Sequence, residues 1–270
     1  MSYFTDPLQY DFFVRALFVS VLIGALAGAI GPFVLVRKMA YIGQGMSQSI
    51  LGGVALGVVW GIDMYIGAAI AAALSAALIY AVRKRGIPVD TSIGIVASTL
   101  FAIGVAVVSS SRDRRLNSAN LLFGNVLGVD TFDMILVFLV TLLSAVLLYR
   151  NYKSLLAVTH NSSVAAAHGV KSRLMEFVYS ALLAMIVVTA LRVLGVLLVA
   201  ATLLIPAATA TLTFKRFRQI MTASIMLGIA FALIGLFLSF HQNIASGPAM
   251  VLVGAAVFTM ILLTSKRSAS

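Results

Sequence analysis

The chain has 270 residues, of which 61% are hydrophobic and 10% charged, and its mean hydropathy is +1.09. A soluble globular domain does not have this composition, which is typical of a helical protein that crosses the membrane several times. The chain has no cysteine, which excludes disulfides, thiolate metal ligands and thiol catalysis. The net charge of +11 is assigned to cytoplasmic loops near anionic lipid, so we expect no nucleic-acid partner.

Nine apolar spans follow one another along the chain and predict an all-α membrane helical bundle, with residues 1–270 as a single transmembrane domain. Only the letters "LRVLG" separate the sixth span from the seventh, and one long broken helix over 174–213 would reduce the number to eight. The predicted spans are 13–36, 44–61, 63–82, 91–110, 132–149, 174–191, 193–213, 219–240 and 248–264.

Basic residues occur in alternate loops, and the positive-inside rule places those loops in the cytoplasm. The nine-span arrangement then puts the N-terminus outside and the C-terminus in the cytoplasm. One loop, 112–117, carries basic residues on the predicted outer side, where we expect it to fold back as a short surface helix. The cytoplasmic clusters lie at 37–38, 83–85, 150–173, 215–218 and 266–267.

Small residues recur at helical spacing and predict close helix packing. Gly24 and Gly28 form one small-xxx-small pair, and Gly53, Gly57 and Gly61 form a longer run on one predicted helix face. Pro206 lies within a span and is expected to kink it.

Two amides interrupt the second span. Gln44 and Gln48 stand one helical turn apart on the same helix face, where an amide in hydrocarbon costs several kcal/mol unless it finds partners. The chain has no phosphate-loop motif and almost no ionisable residue within its spans, so we expect no ATPase site and no other enzyme site. If the chain transports a substrate, its energy would come from another subunit.

The longest cytoplasmic loop contains a predicted short helix. Asn161 or Ser162 serves as its N-cap, alanines follow, and Gly169 ends it. Two interpretations remain open from the residues alone: a helix that docks into a groove of a partner, or a surface turn that links two spans.

Five stretches stand in chain order and read "GPFVLVRKMAYIGQGMSQSILGGVALG", "NLLFGNVLGVD", "NSSVAAAHGV", "VLGVLLVAATLLIPAATA" and "GLFLSFHQNIASGPAMVLV". Together they resemble the permease subunits of ATP-binding-cassette (ABC) importers for zinc and manganese. The resemblance implies a type II importer permease in the inner or plasma membrane. It also implies separate ABC ATPase subunits that bind the ATP, an extracytoplasmic substrate-binding protein, and a second permease copy or paralogue. No cofactor is expected in this chain.

The sequence departs from this family at the positions that matter most for a metal. The positions of Gln44 and Asn243 are usually aspartate in the family, and that of Gln48 is usually histidine. The resemblance therefore marks Gln44, Gln48 and Asn243 as candidate metal ligands on the translocation route, and His241 is a candidate replacement imidazole. Amide oxygens are weaker ligands for a divalent ion than carboxylate or imidazole.

The short helix predicted in the longest cytoplasmic loop also departs from the family, because the positions of Asn161 and Ser163 are often acidic there. The resemblance implies that the ATPase contact includes Asn161, Ser163, Ala165 and Gly169. Three interpretations of the amides stay open: weak metal coordination, a different cargo such as a small solute or metal chelate, or hydrogen bonds between helices. A passive channel or scaffold is the alternative of another class.

Overall fold

The computed structural model describes residues 6–39, 41–110, 128–195 and 198–264. These residues form ten α-helices, preceded by a short 3-10 turn at Pro7–Gln9. The helices are α1 Asp11–Val36, α2 Ile42–Val59, α3 Met64–Arg83, α4 Val89–Ser110, α5 Thr131–His160, α6 Ser162–Ala167, α7 Ser172–Leu194, α8 Val199–Thr213, α9 Phe217–Gln242 and α10 Ser246–Thr264.

The all-helical membrane architecture is confirmed. Within the described ranges, seven helices are long and apolar enough to cross a membrane, namely α1, α3, α4, α5, α7, α9 and α10. The helix α8 is apolar but shorter, with 15 residues. Each of the nine predicted spans corresponds to one helix, and α6 is the predicted helix of the cytoplasmic loop.

The 174–213 stretch forms two helices rather than one. α7 ends at Leu194, and Gly195 follows it with a positive φ of 79°, a conformation that glycine adopts without a steric penalty. α8 then begins at Val199 and contains Pro206. The basic loop 112–117 and most of the "NLLFGNVLGVD" stretch lie outside the described residues.

The chain forms two compact units. The first consists of Met1–Lys38, Asn125–Arg150 and Ala201–Ser270, and the second consists of Met39–Gly124 and Asn151–Ala200. In the first unit α1 packs along α9, and the ring of Phe13 lies 5.3 Å from the rings of both Phe237 and Phe240. The guanidinium of Arg15 donates to the hydroxyl of Thr131 at 3.1 Å and so links α1 to the start of α5.

Glycines set the distance between α1 and α9, as the sequence predicts for Gly24 and Gly28. A Cβ atom on Gly24 would lie 2.5 Å from the carbonyl oxygen of Gly228, and one on Gly28 would collide with the carbonyl oxygen of Ser224. The two backbones are therefore in direct contact, and no side chain larger than hydrogen fits at these positions without moving a helix.

In the second unit α2 packs against α3 and α4. A Cβ atom on Gly53 would lie 2.6 Å from the carbonyl oxygen of Gly67, and Gly57 faces the same residue of α3. The prediction for Gly61 was wrong. α2 ends at Val59, and Gly61 lies in the following turn with a φ of 69° and no atom near its missing side chain.

Candidate functional site

Gln44 and Gln48 line one cleft of the second unit, as their spacing on a helix face predicts. The cleft has a volume of about 430 Å³ and lies between α2 and α4. Gln44 is exposed and Gln48 half-buried in this chain. The lining residues are Tyr41, Gln44, Gly45, Gln48, Asp90, Thr91, Ile93, Gly94, Ala97 and Ser98.

Small and apolar residues form the base of this cleft. Gly45 faces α4, and a side chain there would collide with Ile93, which is 1% exposed. Met46 lies between the two glutamines in sequence but is 2% exposed and does not line the cleft. The helix rotation therefore directs the amides into the cleft and the thioether into the core, as expected for a period of 3.6 residues.

The two amide groups make no hydrogen bond to any residue that the structure describes. The neighbouring serines differ, because the hydroxyl of Ser47 donates to the carbonyl of Gln44 at 2.9 Å and that of Ser49 to the carbonyl of Gly45 at 2.8 Å. An unpartnered amide is stable beside water but costly in lipid. The geometry thus favours a hydrated cleft over hydrogen bonds between helices of this chain.

Asp90, Thr91, Ser98 and Tyr41 complete the polar lining, and sequence reasoning missed them. Thr91, Gly94 and Ser98 recur at i, i+3 and i+7 on α4, and Gln44 and Gln48 of α2 continue the same spacing from Tyr41, the residue before that helix. Each of the two apolar segments therefore carries a stripe of polar or small residues at helical spacing. The sequence did not show that the two stripes face each other.

His241 and Asn243 lie at the end of α9, in the first unit. Asn243 is the C-cap of α9, is exposed, and adopts the left-handed conformation with a φ of 52°. Asparagine tolerates this conformation better than most residues, which gives it a structural role in the turn. The Nδ1 atom of His241 lies 2.8 Å from the carbonyl oxygen of Phe237 and therefore carries a hydrogen, which leaves the lone pair of the neutral ring on Nε2.

The predicted docking segment forms α6, capped as the sequence indicates. The side chain of Asn161 accepts from the backbone N–H groups of Ser163 at 3.0 Å and Val164 at 3.1 Å. Gly169 follows the helix with a φ of 81°. Ala165 is 3% exposed and packs within the unit, whereas Ser163 and Val164 are exposed. Ala165 therefore does not belong to the exposed surface of α6.

A strong metal site of the usual kind is not present in the described part of the chain. No three histidine, aspartate or glutamate side chains there come together closely enough to hold an ion. The cleft instead offers amide, hydroxyl and single-carboxylate oxygens. Such a set suits transient coordination of a hard cation by oxygen better than tight binding of zinc.

Comparison with known proteins confirms the resemblance found in the sequence. The manganese transport system membrane protein MntC of Listeria innocua serovar 6a is 38% identical over 265 residues, which are 97% of this chain and 94% of the relative. The chelated iron transport system membrane protein YfeC of Yersinia pestis is 31% identical over 257 residues, which are 94% of this chain and 86% of the relative.

A solved structure supports the same assignment. The structure of PsaBC from Streptococcus pneumoniae in complex with Fab has a TM-score of 0.87 at 30% identity, covering 97% of this chain and 94% of the compared chain. Residues 9–265 match the family described as "ABC 3 transport family". The chain therefore belongs to the ABC 3 transport family.

Proposed function

We propose that the chain is the membrane-spanning permease of an importer for a divalent metal ion, with manganese as the first candidate. The main support for the proposal is the cleft between α2 and α4. Its oxygen-bearing side chains lie on apolar membrane helices and have no hydrogen-bond partner among the described residues. Polar groups within a membrane span mark a substrate pathway when they face water or a second subunit rather than lipid. The relatives from Listeria support a metal as the cargo.

Separate subunits supply the energy and the substrate. Two ABC ATPase subunits bind ATP in the cytoplasm, an extracytoplasmic binding protein delivers the ion, and a second permease copy or paralogue faces the exposed cleft. Family membership supports these partners. Closure of the ATPases draws the α6 helices together and reorients the cavity between the permeases, so the substrate moves without any chemical step in this chain.

The second candidate cargo is a metal chelate or another small polar solute. The relative from Yersinia pestis is named for chelated iron, and the three amides lack the charge that holds a bare ion. Uptake measurements distinguish the two candidates. Deleting the gene in its host should abolish ATP-dependent uptake of radioactive Mn²⁺, and re-expression should restore it. Unchanged Mn²⁺ uptake with loss of chelate uptake would favour the second candidate.

The proposed orientation has nine spans, with the C-terminus in the cytoplasm. α9 has 26 residues and is about 39 Å long at 1.5 Å per residue, enough to place its two ends on opposite sides of a membrane. We expect a membrane-impermeant thiol reagent to label Gln242→Cys from outside intact cells and Lys215→Cys only after lysis. Both residues are exposed, and the chain has no other cysteine. The reverse labelling pattern would contradict this orientation.

The exposed side of α6 is the proposed ATPase contact. Ala166→Pro should prevent co-purification of the ATPase or uncouple ATP hydrolysis from uptake, because proline inside a helix costs about 3 kcal/mol. The matched control is Ser162→Pro, at the first position of the same helix, where proline is tolerated. Asn161 before it is already extended, with φ −158° and ψ 107°, as proline requires. Equal effects of both variants, or of neither, would refute the contact.

A further inference from the structure

Among the described residues that line the cleft between α2 and α4, Asp90 is the only one with a carboxylate. It lies in the first turn of α4 and is exposed in this chain. Gln44 and Gln48 line the same cleft from α2, and Thr91 and Ser98 line it from α4. With the phenol of Tyr41, one negative charge and five neutral oxygen-bearing side chains therefore share a cavity of about 430 Å³.

The oxygen-bearing side chains that line the cleft differ in their hydrogen bonding from other polar side chains on the same helices. The hydroxyls of Ser92 and Thr99 donate to backbone carbonyls of their own segment, at 2.9 Å and 2.8 Å. The side chains of Asp90, Thr91 and Ser98, like those of the two glutamines, have no hydrogen-bond partner among the described residues. A hydroxyl that faces lipid normally donates a hydrogen bond to a carbonyl of its own helix. The hydroxyls of Thr91 and Ser98 make no such bond, which indicates that they contact water or a ligand.

The chemistry of these donors is selective. The amide side chains of Gln44 and Gln48 offer carbonyl oxygens, Thr91 and Ser98 offer hydroxyls, and Asp90 offers a carboxylate. No histidine is among the described residues that line the cleft, and the chain contains no cysteine. Hard cations such as Mn²⁺, Mg²⁺ and Ca²⁺ accept oxygen-only sets, whereas Zn²⁺ is held best by nitrogen and sulfur. The charge that the amides lack is supplied from the facing helix.

We propose that Asp90 is the charged ligand of an oxygen-only cation site in this cleft, completed by the amide oxygens of Gln44 and Gln48, and that this site takes a hard divalent cation such as Mn²⁺. The proposal rests on the function proposed above and adds a ligand to it. In the proposed orientation Asp90 follows the basic loop 83–85 at the cytoplasmic end of α4. The site is then the last position of the ion before release into the cytoplasm.

The test is Mn²⁺ binding by the purified full-length chain in lipid nanodiscs, followed by the loss of the electron paramagnetic resonance signal of free Mn²⁺. Asp90→Asn should weaken binding by about tenfold or more, since affinity for such ions follows the charge of the ligands, and Asp90→Glu should restore part of it. Asp11→Asn is the matched control, because Asp11 also lies exposed in the first turn of a helix but outside the cleft.

The possible results distinguish a failure of the proposed cation site from a failure of the proposed transport function. Unchanged Mn²⁺ binding by Asp90→Asn would overturn the site, and so would weakening of equal size in Asp11→Asn. Absence of Mn²⁺ binding by the unmodified chain, with Mn²⁺ uptake in cells intact, would also overturn the site but leave the transport function standing. Loss of the dependence of cellular Mn²⁺ uptake on this chain would instead remove the proposed function.

Discussion

Gly228→Ala is expected to separate α1 from α9 and to lower the melting temperature of the purified protein sharply. A Cβ atom at this position would collide with the carbonyl oxygen of Gly24 and come within 2.9 Å of its carbonyl carbon. The obstacle is backbone, so no rotamer change relieves it, and one of two long helices must shift. Overpacking of this kind costs about 1–3 kcal/mol, and the contact between α1 and α9 is the most extensive between any two helices in the described part of the chain.

Gly94→Ala is the matched control for this substitution. Gly94 also lies inside a helix, but no atom stands within 4 Å of its missing side chain. Alanine there should leave the melting temperature unchanged or raise it, because alanine favours the helix by about 0.5–1 kcal/mol over glycine. Equal melting temperatures for Gly228→Ala and Gly94→Ala would show that direct backbone contact does not hold the first unit together.

The double variant Gln44→Asp with Gln48→His is expected to bind transition metals more tightly and to change the preferred ion. A carboxylate and an imidazole one helical turn apart replace two neutral amides, and imidazole suits Zn²⁺. A new negative charge about 4 Å from the ion contributes about 1–4 kcal/mol per unit of ionic charge, so a gain of about tenfold or more in affinity is expected. Uptake should change as well, because an ion held more tightly is released more slowly.

Metal content and melting temperature, measured on the same sample, decide between the interpretations of the amides. A gain in bound Zn²⁺ with little loss of stability supports an open, hydrated cleft. If the amides instead hold helices together, the new carboxylate would be buried without a partner, and the melting temperature would fall with no gain in metal. The single variant Gln44→Asp is the control that adds charge without the imidazole.

Most of the helices follow from local properties of the sequence. Apolar runs of about 20 residues are visible directly in the sequence and predict the membrane helices. The cap at Asn161 and the glycine after Leu194 affect only the few residues around them, so these helix ends could also be predicted from the sequence. Gly24 and Gly28 were likewise visible as a spaced pair. The prediction that Gly61 lies on the same helix face as Gly53 and Gly57 is wrong, because their four-residue spacing continues beyond the end of α2. Only the backbone geometry shows that Gly61 belongs to a turn.

The candidate site was less accessible to sequence reasoning. The face that carries Gln44 and Gln48 followed from their spacing, but Asp90 belongs to another helix, and its place opposite them depends on the packing of Gly45 against Ile93. Ala165 shows the same limit. The letters of the loop indicate a short helix, but which side of a six-residue helix is buried depends on the helix that follows it.

The proposed transport function requires the cleft that bears Gln48 to be a hydrated part of the substrate route. The most direct measurement is the reaction of Gln48→Cys with a charged methanethiosulfonate reagent in nanodiscs, since charged thiol reagents require water. Ile95→Cys is the comparison, because Ile95 lies on α4, is 50% exposed and does not line the cleft. We expect that Gln48→Cys is modified, that Ile95→Cys is not, and that modification of Gln48→Cys blocks Mn²⁺ uptake by the assembled transporter. An inert Gln48→Cys, or a modified one that still transports Mn²⁺ normally, would rule out a hydrated route through this cleft.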